Sequence, residues 1–541
     1  MRRRTFAAGA LSSVGRLLAG CSDPPASIEG MGTTGTGSTS GGFRLDVPGP
    51  ADLPPTDLPP TDLPPERVDL GPPTSFDVGG PFEPIDKPPA RPRLENLLFI
   101  SIDDLNDYVG FMGGHPNALT PNLDHFARNA TTFMNAHCAA PSCNPSRTSV
   151  MTGLRPSTTG IYRNVHPWSP VLGSGQTIPS AFRDSGFRTL GAGKLFHGNP
   201  MQPHAWHDYF PAFCDARPDD PSPPDLPANG VEGSGRMDWG PLVDKAEMGD
   251  EQVVAYITEQ MARHDGTPTM FGAGLFRPHL PWYVPLRYFD RFYEDEIALP
   301  PFLDTDYADI PEVALEVFRQ FGDHERIVGA GAWRESVHGY LASVAFADDM
   351  FGQLIAALES SPLADTTAVV VWSDHGWHLG EKMHWRKFSL WEEATRVPLM
   401  IRLPGVVGHR TFEPVSLVDI FPTLAELFDL VDVEHLDGTS LVPLIENPGA
   451  ARAQGAITTW DAGNHSVRTR RWRYTRYLDG THELYDHDSD PHEWVNLANE
   501  QSHSSIVASL EGQLPEGVPA APESDDYLPD ELECEVPGDE D

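Results

Sequence analysis

The chain has 541 residues, enough to bury a large core and to hold two or more domains. It carries 38 Lys and Arg against 78 Asp and Glu, a net charge of -40, which excludes nonspecific attraction to nucleic-acid phosphates. An anionic substrate stays open, because distant surface charge is screened within about 8–10 Å, while five cysteines, at 21, 138, 143, 214 and 534, are too few for a disulfide framework.

The start, Met1-Arg2-Arg3-Arg4-Thr5-Phe6, places arginines ahead of a mildly apolar stretch ending Leu18-Ala19-Gly20-Cys21. That pattern reads as an exported lipoprotein's signal, residues 1–21, with lipid attached at Cys21; Arg3-Arg4-Thr5-Phe6 fits a twin-arginine signal. A membrane is therefore expected to be met only through this N-terminal anchor, on the periplasmic side or at the outer membrane or cell surface of a bacterium. No later run is read as the roughly 20 apolar residues of a spanning helix. Residues 22–93 are rich in Gly, Ser and Thr and then repeat Asp-Leu-Pro-Pro-Thr from Asp52 to Pro65. This composition is expected to form a disordered tether that could reach on the order of 200 Å when drawn out.

A catalytic domain is expected over 94–449. Asn96–Ile102 is a continuous apolar run, read as a buried parallel strand with Asp103 and Asp104 at its end. In open α/β sheets that edge is where sites form. Thr120-Pro121 starts a helix running to about Asn129, with proline in its first turn. Further strand-like runs fall at Phe187–Leu190, Thr269–Gly272, Ala368–Trp372 and Pro398–Arg402, separated by helix-length stretches such as Arg334–Leu358 and Asp419–Leu430. The alternation predicts a doubly wound α/β fold. A smaller antiparallel subdomain is expected over 450–515, from the pieces Ser466–Thr469, Trp472–Tyr477 and Glu483–Tyr485 and a helix near His503–Leu514. The end, 516–541, reads as a solvated acidic tail: from Glu523 on it holds ten acidic residues and no basic one. Cys534 lies inside it, and a bridge to Cys214 is left open.

Three runs carry chemistry. Two adjacent carboxylates at a strand end, Asp103 and Asp104, repel unless a cation sits between them, and a hard divalent metal is the usual solution. Ala368–Gly376 is a second buried strand that ends in an acid, at Asp374-His375-Gly376. Between them stands Cys143-Asn144-Pro145-Ser146-Arg147, followed by Met151-Thr152-Gly153. Taken alone, Cys143 is a small buried thiol beside a turn-forming proline and the Asp pair is a solvated turn; His375, His378 and His384 can also be read as a zinc cluster, against which the two carboxylate-bearing strand ends favour a hard cation.

Together, and in this order, the three runs resemble the type I, formylglycine-dependent sulfatases, in the iduronate-2-sulfatase-like branch of the alkaline phosphatase superfamily. The resemblance runs from about Asn96 to Leu497. Further matches are Gly193-Lys194-Leu195-Phe196-His197, Arg277-Pro278-His279-Leu280-Pro281, Trp385-Arg386-Lys387 and Glu483-Leu484-Tyr485-Asp486 with Asp490-Pro491 and Glu493. It implies an alkaline-phosphatase-like sandwich, with a large mostly parallel sheet between helices and a smaller C-terminal antiparallel sheet. It also implies that Cys143 is oxidised by a formylglycine-generating enzyme to an aldehyde whose hydrate attacks sulfur with one hydroxyl and expels sulfate with the other. Asp103, Asp104, Asp374, His375 and the matured residue 143 would then ligate one divalent cation, usually calcium, with magnesium or manganese open because His375 offers nitrogen.

In the same resemblance, Arg147 holds the hydrate and a sulfate oxygen, and Lys194 and Lys387 stabilise charge on sulfate. His197 takes a hydroxyl proton, and His279 protonates the leaving alcohol or lies close to it. Arg277 stands where close relatives often carry lysine, and either cation could contact substrate. The expected activity is hydrolysis of a sulfate ester on a sulfated sugar or polysaccharide. The alternatives are a phosphonate or phosphate diester hydrolase on the same scaffold, or an inactive surface glycan-binding relative. Specificity is expected to lie in loops such as Asp208–Met237.

Overall fold

The computed structural model describes residues 94–166, 177–198, 203–211, 217–319, 321–431, 433, 435–517 and 519–521. The signal, lipobox and tether (1–93), Cys214, and the tail from 522 with Cys534 lie outside the described residues. In chain order the elements that place the site begin with β1 (Asn96–Ile102), α1 (Pro121–Ala127), β2 (Thr131–Phe133), α2 (Cys143–Thr152), β3 (Arg188–Gly193) and β4 (Asp208–Phe210). They continue with α3 (Gly249–Ala262), β5 (Thr269–Leu275), α4 (Trp333–Glu359), β6 (Thr367–Ser373), β7 (Leu399–Arg402), β8 (His409–Thr411) and α5 (Ile420–Phe428).

The eight strands form one sheet in the order β8-β2-β7-β6-β1-β5-β3-β4. At its centre β1 pairs in parallel with β5 and β6, Ile102 facing Leu275 on one side and Ser373 on the other. All three strands therefore end level, and the residues after Ile102 and Ser373 emerge side by side. Within the sheet β7 alone runs against its neighbours; the apolar run at 398–402 signals a strand but not its direction.

Alternation sorts the sheet's side chains into two cores. Leu98, Ile100, Ile102, Phe271, Val369 and Val371 pack on one face with Leu123, Phe126, Val253, Tyr340 and Phe346 from α1, α3 and α4. Leu97, Phe99, Met270, Val370 and Trp372 pack on the other with Val150, Met151, Ile420 and Leu424 from α2 and α5. The result is the expected layered sandwich with helices on both faces. With its 27 residues, α4 is long and apolar enough to span a bilayer, which the sequence reading passed over; most of it is buried in the core instead. It also caps α1, whose Thr120 makes no side-chain cap: Asp348 on α4 accepts from the Asn122 and Leu123 N–H groups at 3.1 and 2.8 Å.

The C-terminal antiparallel sheet has four strands, β9 (Ala456–Trp460), β10 (Asn464–Arg468), β11 (Trp472–Arg476) and β12 (His482–Asp486), followed by α6 (Ser504–Glu511). Of these β9 was not foreseen, nor were the short strands β2, β8 and β4, the last two being the sheet's edges. The stretch from Asp208 thus opens as a sheet edge, because three residues are too few to show a period.

Arg473, on β11 and fully buried, ties this sheet to the catalytic layer. Its Nε lies 2.5 Å from Glu493 Oε1, its Nη2 contacts Glu392, and its Nη1 donates to Leu390 O at 3.0 Å.

Candidate active site

Helix α2 presents Cys143 as its first residue, fully buried at the C-terminal edge of the sheet. Pro145 sits in the first turn, where its missing N–H costs nothing. Gly153 closes the helix at φ 70°, a conformation that disfavours a side chain. Ser146 Oγ donates to Asp374 O at 2.6 Å, which ties the helix to the end of β6.

Around Cys143 Sγ converge His375 Nε2 at 3.3 Å, Lys387 Nζ at 3.1 Å, Lys194 Nζ at 3.7 Å and Asp103 Oδ1 at 3.9 Å. The sulfur marks where an oxygen of the matured residue would stand. Asp103, Asp104, Cys143 and His375 form a cluster whose ligand atoms all lie within 4.8 Å of one another. Asp374 is outside that four-membered cluster but close to it, with Oδ2 3.5 Å from His375 Nε2. His375 Nδ1 faces Gly376 O at 3.1 Å, which assigns the proton to Nδ1 and turns the Nε2 lone pair toward the carboxylates, as a metal ligand needs.

The donor set fits a hard divalent cation. Three carboxylates supply oxygen, and Asp104 Oδ2 is buried without a hydrogen-bond partner, which is costly unless something positive faces it. Asp104 adopts φ 60°, held there by Tyr340, whose hydroxyl donates to Asp104 O at 2.8 Å and accepts from Asn106 N–H at 2.9 Å. His378 and His384 do not join His375: His378 Nε2 pairs with Ser389 Oγ at 2.9 Å and His384 Nε2 with Lys387 O at 2.7 Å. This removes the zinc reading.

Charges in the cluster are interlocked. Burial works against ionised Asp103, but Lys194 and Arg147 outweigh it and hold its carboxyl well below the usual range. Burial pushes Asp374 up to about 7 against the pull of Arg147. For His375 burial again opposes charge, and the Asp374 carboxylate overrides it and raises the ring. Burial lowers His197 and His279; the Cys143 side chain pulls the first partly back, and Asp104 the second.

Arg147 differs from its expected role. Its Nε donates to Asp374 Oδ2 at 2.8 Å, Nη2 to Asp103 Oδ1 at 2.9 Å, and Nη1 to Lys194 O at 2.5 Å. The guanidinium is spent on aligning the two strand-end carboxylates and the Lys194 turn. Lys194 contacts Asp103 Oδ2, and Lys387 Nζ lies 2.8 Å from Asp104 Oδ1. His279 Nδ1 faces Leu280 O at 2.7 Å, leaving Nε2 3.9 Å from Asp104 Oδ2.

Arg277, read as a cation that could contact substrate, is buried and turned away into its own loop. Sequence reasoning missed Tyr340 and Ser101, and read His384 only as a metal candidate; Ser101 Oγ donates to Lys194 O at 3.0 Å.

A layered α/β sandwich with buried acids at two central strand ends, a helix-start cysteine and two lysines defines an alkaline-phosphatase-like hydrolase. Residues 95–430 match the family model described as Sulfatase, and residues 380–518 the one described as N-sulphoglucosamine sulphohydrolase, C-terminal. The chain belongs to the sulfatase family. It is 36% identical over 450 residues to a sulfatase of Formosa agariphila, covering 80% of this chain and 87% of that one. To mouse iduronate 2-sulfatase it is 26% identical, covering 77% and 93%. A phosphonate monoester hydrolase of Agrobacterium radiobacter shares the fold at TM-score 0.62 and 21% identity, over 78% of this chain and 94% of the other.

Proposed function

We propose that the protein removes sulfate from a sulfated sugar or polysaccharide, with Cys143 matured to formylglycine. The observation that carries the reading is the convergence of Asp103, Asp104, His375 and Lys387 on residue 143 from distant parts of the chain. The sugar class is supported by the likeness to iduronate 2-sulfatase. A divalent cation, calcium with magnesium or manganese as alternatives, would be held by Asp103, Asp104, Asp374, His375 and residue 143. When bound it supplies positive charge to the hydrate and the sulfate.

This chain's residues do the rest. One hydroxyl of the hydrate gives its proton to the Asp374 carboxylate and attacks sulfur, the sulfur–oxygen bond to the sugar breaks, and His279 gives a proton to the departing alkoxide. An arriving sulfate anion favours the charged His279 ring that this step needs. Lys194 and Lys387 face charge that grows on the sulfate oxygens. The second hydroxyl then yields its proton to His197, the carbonyl re-forms as sulfate leaves, and water restores the hydrate.

The test compares turnover of sulfated glycans with phosphonate and phosphate esters, alongside mass spectrometry of the peptide holding residue 143. Sulfate turnover with aldehyde or hydrate at 143 is expected. Faster phosphonate turnover, or activity with an unmodified thiol, overturns the reading. A protein that binds glycans without turnover would instead be the inactive relative, which the full set of Asp103, Asp104, Asp374, His375, Lys194 and Lys387 argues against.

We propose also that Cys21 carries a lipid on an exported chain, from the Leu18–Cys21 run and the leading arginines. Ser22, where retained lipoproteins commonly carry Asp, favours the outer membrane or surface. Cys21→Ser is expected to abolish detergent-phase partitioning; unchanged partitioning would require another anchor.

A further inference from the structure

Arg277 is 1% exposed and two residues ahead of His279. Its Nη1 donates to two carbonyls of the loop it begins, His279 O at 2.7 Å and Pro281 O at 2.5 Å. Its Nη2 donates to Asp220 Oδ2 at 2.7 Å. Asp220 in turn accepts from Gly249 N–H at 2.8 Å through Oδ1, so it is fixed to the start of α3. The next residue on that helix, Asp250, accepts from the N–H groups of Phe276 and Arg277 at 2.7 and 2.9 Å. The loop is thus held at its backbone N–H groups by one acid and at its carbonyls by an arginine anchored to another. The Phe276 ring adds a platform, its centroid 4.6 Å from that of His279.

We propose that Arg277 and Asp220 form a clamp that sets the position of His279, and that Arg277 is a positioning residue which meets no substrate. The inference rests on the sulfatase reading and on His279 as proton donor. The chemistry favours arginine over lysine here. A planar fork spans two carbonyls and a carboxylate at once, whereas an ammonium on a flexible stem has a single centre to share among them. Misplacing a reacting group by about 1 Å can cost about 10²-fold.

The test uses the full-length mature enzyme and four variants: Arg277→Lys, Asp220→Asn, His279→Ala and Arg277→Lys with His279→Ala. Their kcat/KM is measured on a monosaccharide sulfate, whose alkoxide needs a proton, and on nitrophenyl sulfate, whose phenolate departs unaided. Arg277→Lys and Asp220→Asn are each expected to lose about 10- to 100-fold on the sugar ester and several-fold less on the aryl ester. In the His279→Ala background Arg277→Lys is expected to add less than about 2-fold, because two residues acting as one unit are not additive. Equal losses on both esters, or an undiminished loss without His279, overturn the clamp and leave the sulfatase reading intact. If Arg277→Lys does not fold, Asp220→Asn with and without His279 decides in the same way. A wild-type enzyme inert on both esters overturns the sulfatase reading, and the clamp's role with it.

Discussion

Lys387 Nζ lies 3.1 Å from Cys143 Sγ, although 244 residues separate them in the chain. The lysine also touches Asp104 and is held from behind by His384, which pairs with its carbonyl oxygen. It faces the reacting centre with its position set on both sides. Lys387→Ala is expected to lower kcat by about 10²–10³-fold, the usual loss for a preorganised charge, and to raise KM far less. Steady-state kinetics on one sulfate ester checks it; a change confined to KM would make Lys387 a ground-state binding group.

Asp374 is the pivot between Arg147, His375 and the backbone of Asp104. Asp374→Ala should remove bound divalent metal and turnover together, since the remaining acids lose both a ligand and the anchor of Arg147. Metal content by mass spectrometry, with calcium, magnesium and manganese added back to chelated enzyme, reads the outcome. Full activity after exhaustive chelation would contradict it.

Two sets of buried groups set opposing slopes of stability with pH over about pH 4 to 7. Burial raises Glu381 and Asp250 to about 7. Their folded pKa exceeds the unfolded value, so the folded state holds more protons and the stabilisation is lost as pH rises from about 4 to about 7. Burial lowers His384 and His465 to about 4. For these the unfolded state takes up protons first, and stability falls as pH drops below about 6.5. Thermal midpoints from pH 4 to 8 check this balance, and Glu381→Gln, by removing one falling slope, should make stability rise more steeply with pH between about 4.5 and 6.5.

Arg473→Met is expected to cost about 3–5 kcal/mol, because it strands Glu392 and Glu493 as buried charges without their shared partner. The bidentate pair of Arg471 with Asp486 has comparable lengths, 2.7 Å each, yet Arg471 is half exposed, so its loss should cost far less. Denaturant midpoints of the two variants give the comparison, and equal losses would show that Arg473 is not the tie between the layers.

The sequence revealed those parts of the site whose chemistry is written in contiguous residues. Asp103, Asp104, Asp374 and His375 stand directly after apolar runs, so the sheet edge could be located before any fold was known. The central strand was legible for the same reason: seven apolar or neutral residues buried on both faces leave little choice of conformation. Tyr340 was not legible, since a tyrosine within an apolar helix looks like core, and its hold on Asp104 depends on a partner 236 residues away. Arg277 was read from its charge, whereas its role follows from burial and from Asp220 in a loop without periodic pattern. The direction of β7 was hidden too, because an apolar run is the same in either direction.

Cys143 is wholly enclosed, at the root of a helix pinned to β6 through Ser146. On the maturation proposed for Cys143, an oxidising enzyme would reach its thiol only while residues 143–147 are still extended, before the strands that end at Asp103 and Asp374 have met. Synthesis and folding would then run against a clock. Each chain that closed early would then be a correctly shaped molecule with no nucleophile, and slower translation or slower folding of this segment would raise the fraction of competent enzyme without altering its structure.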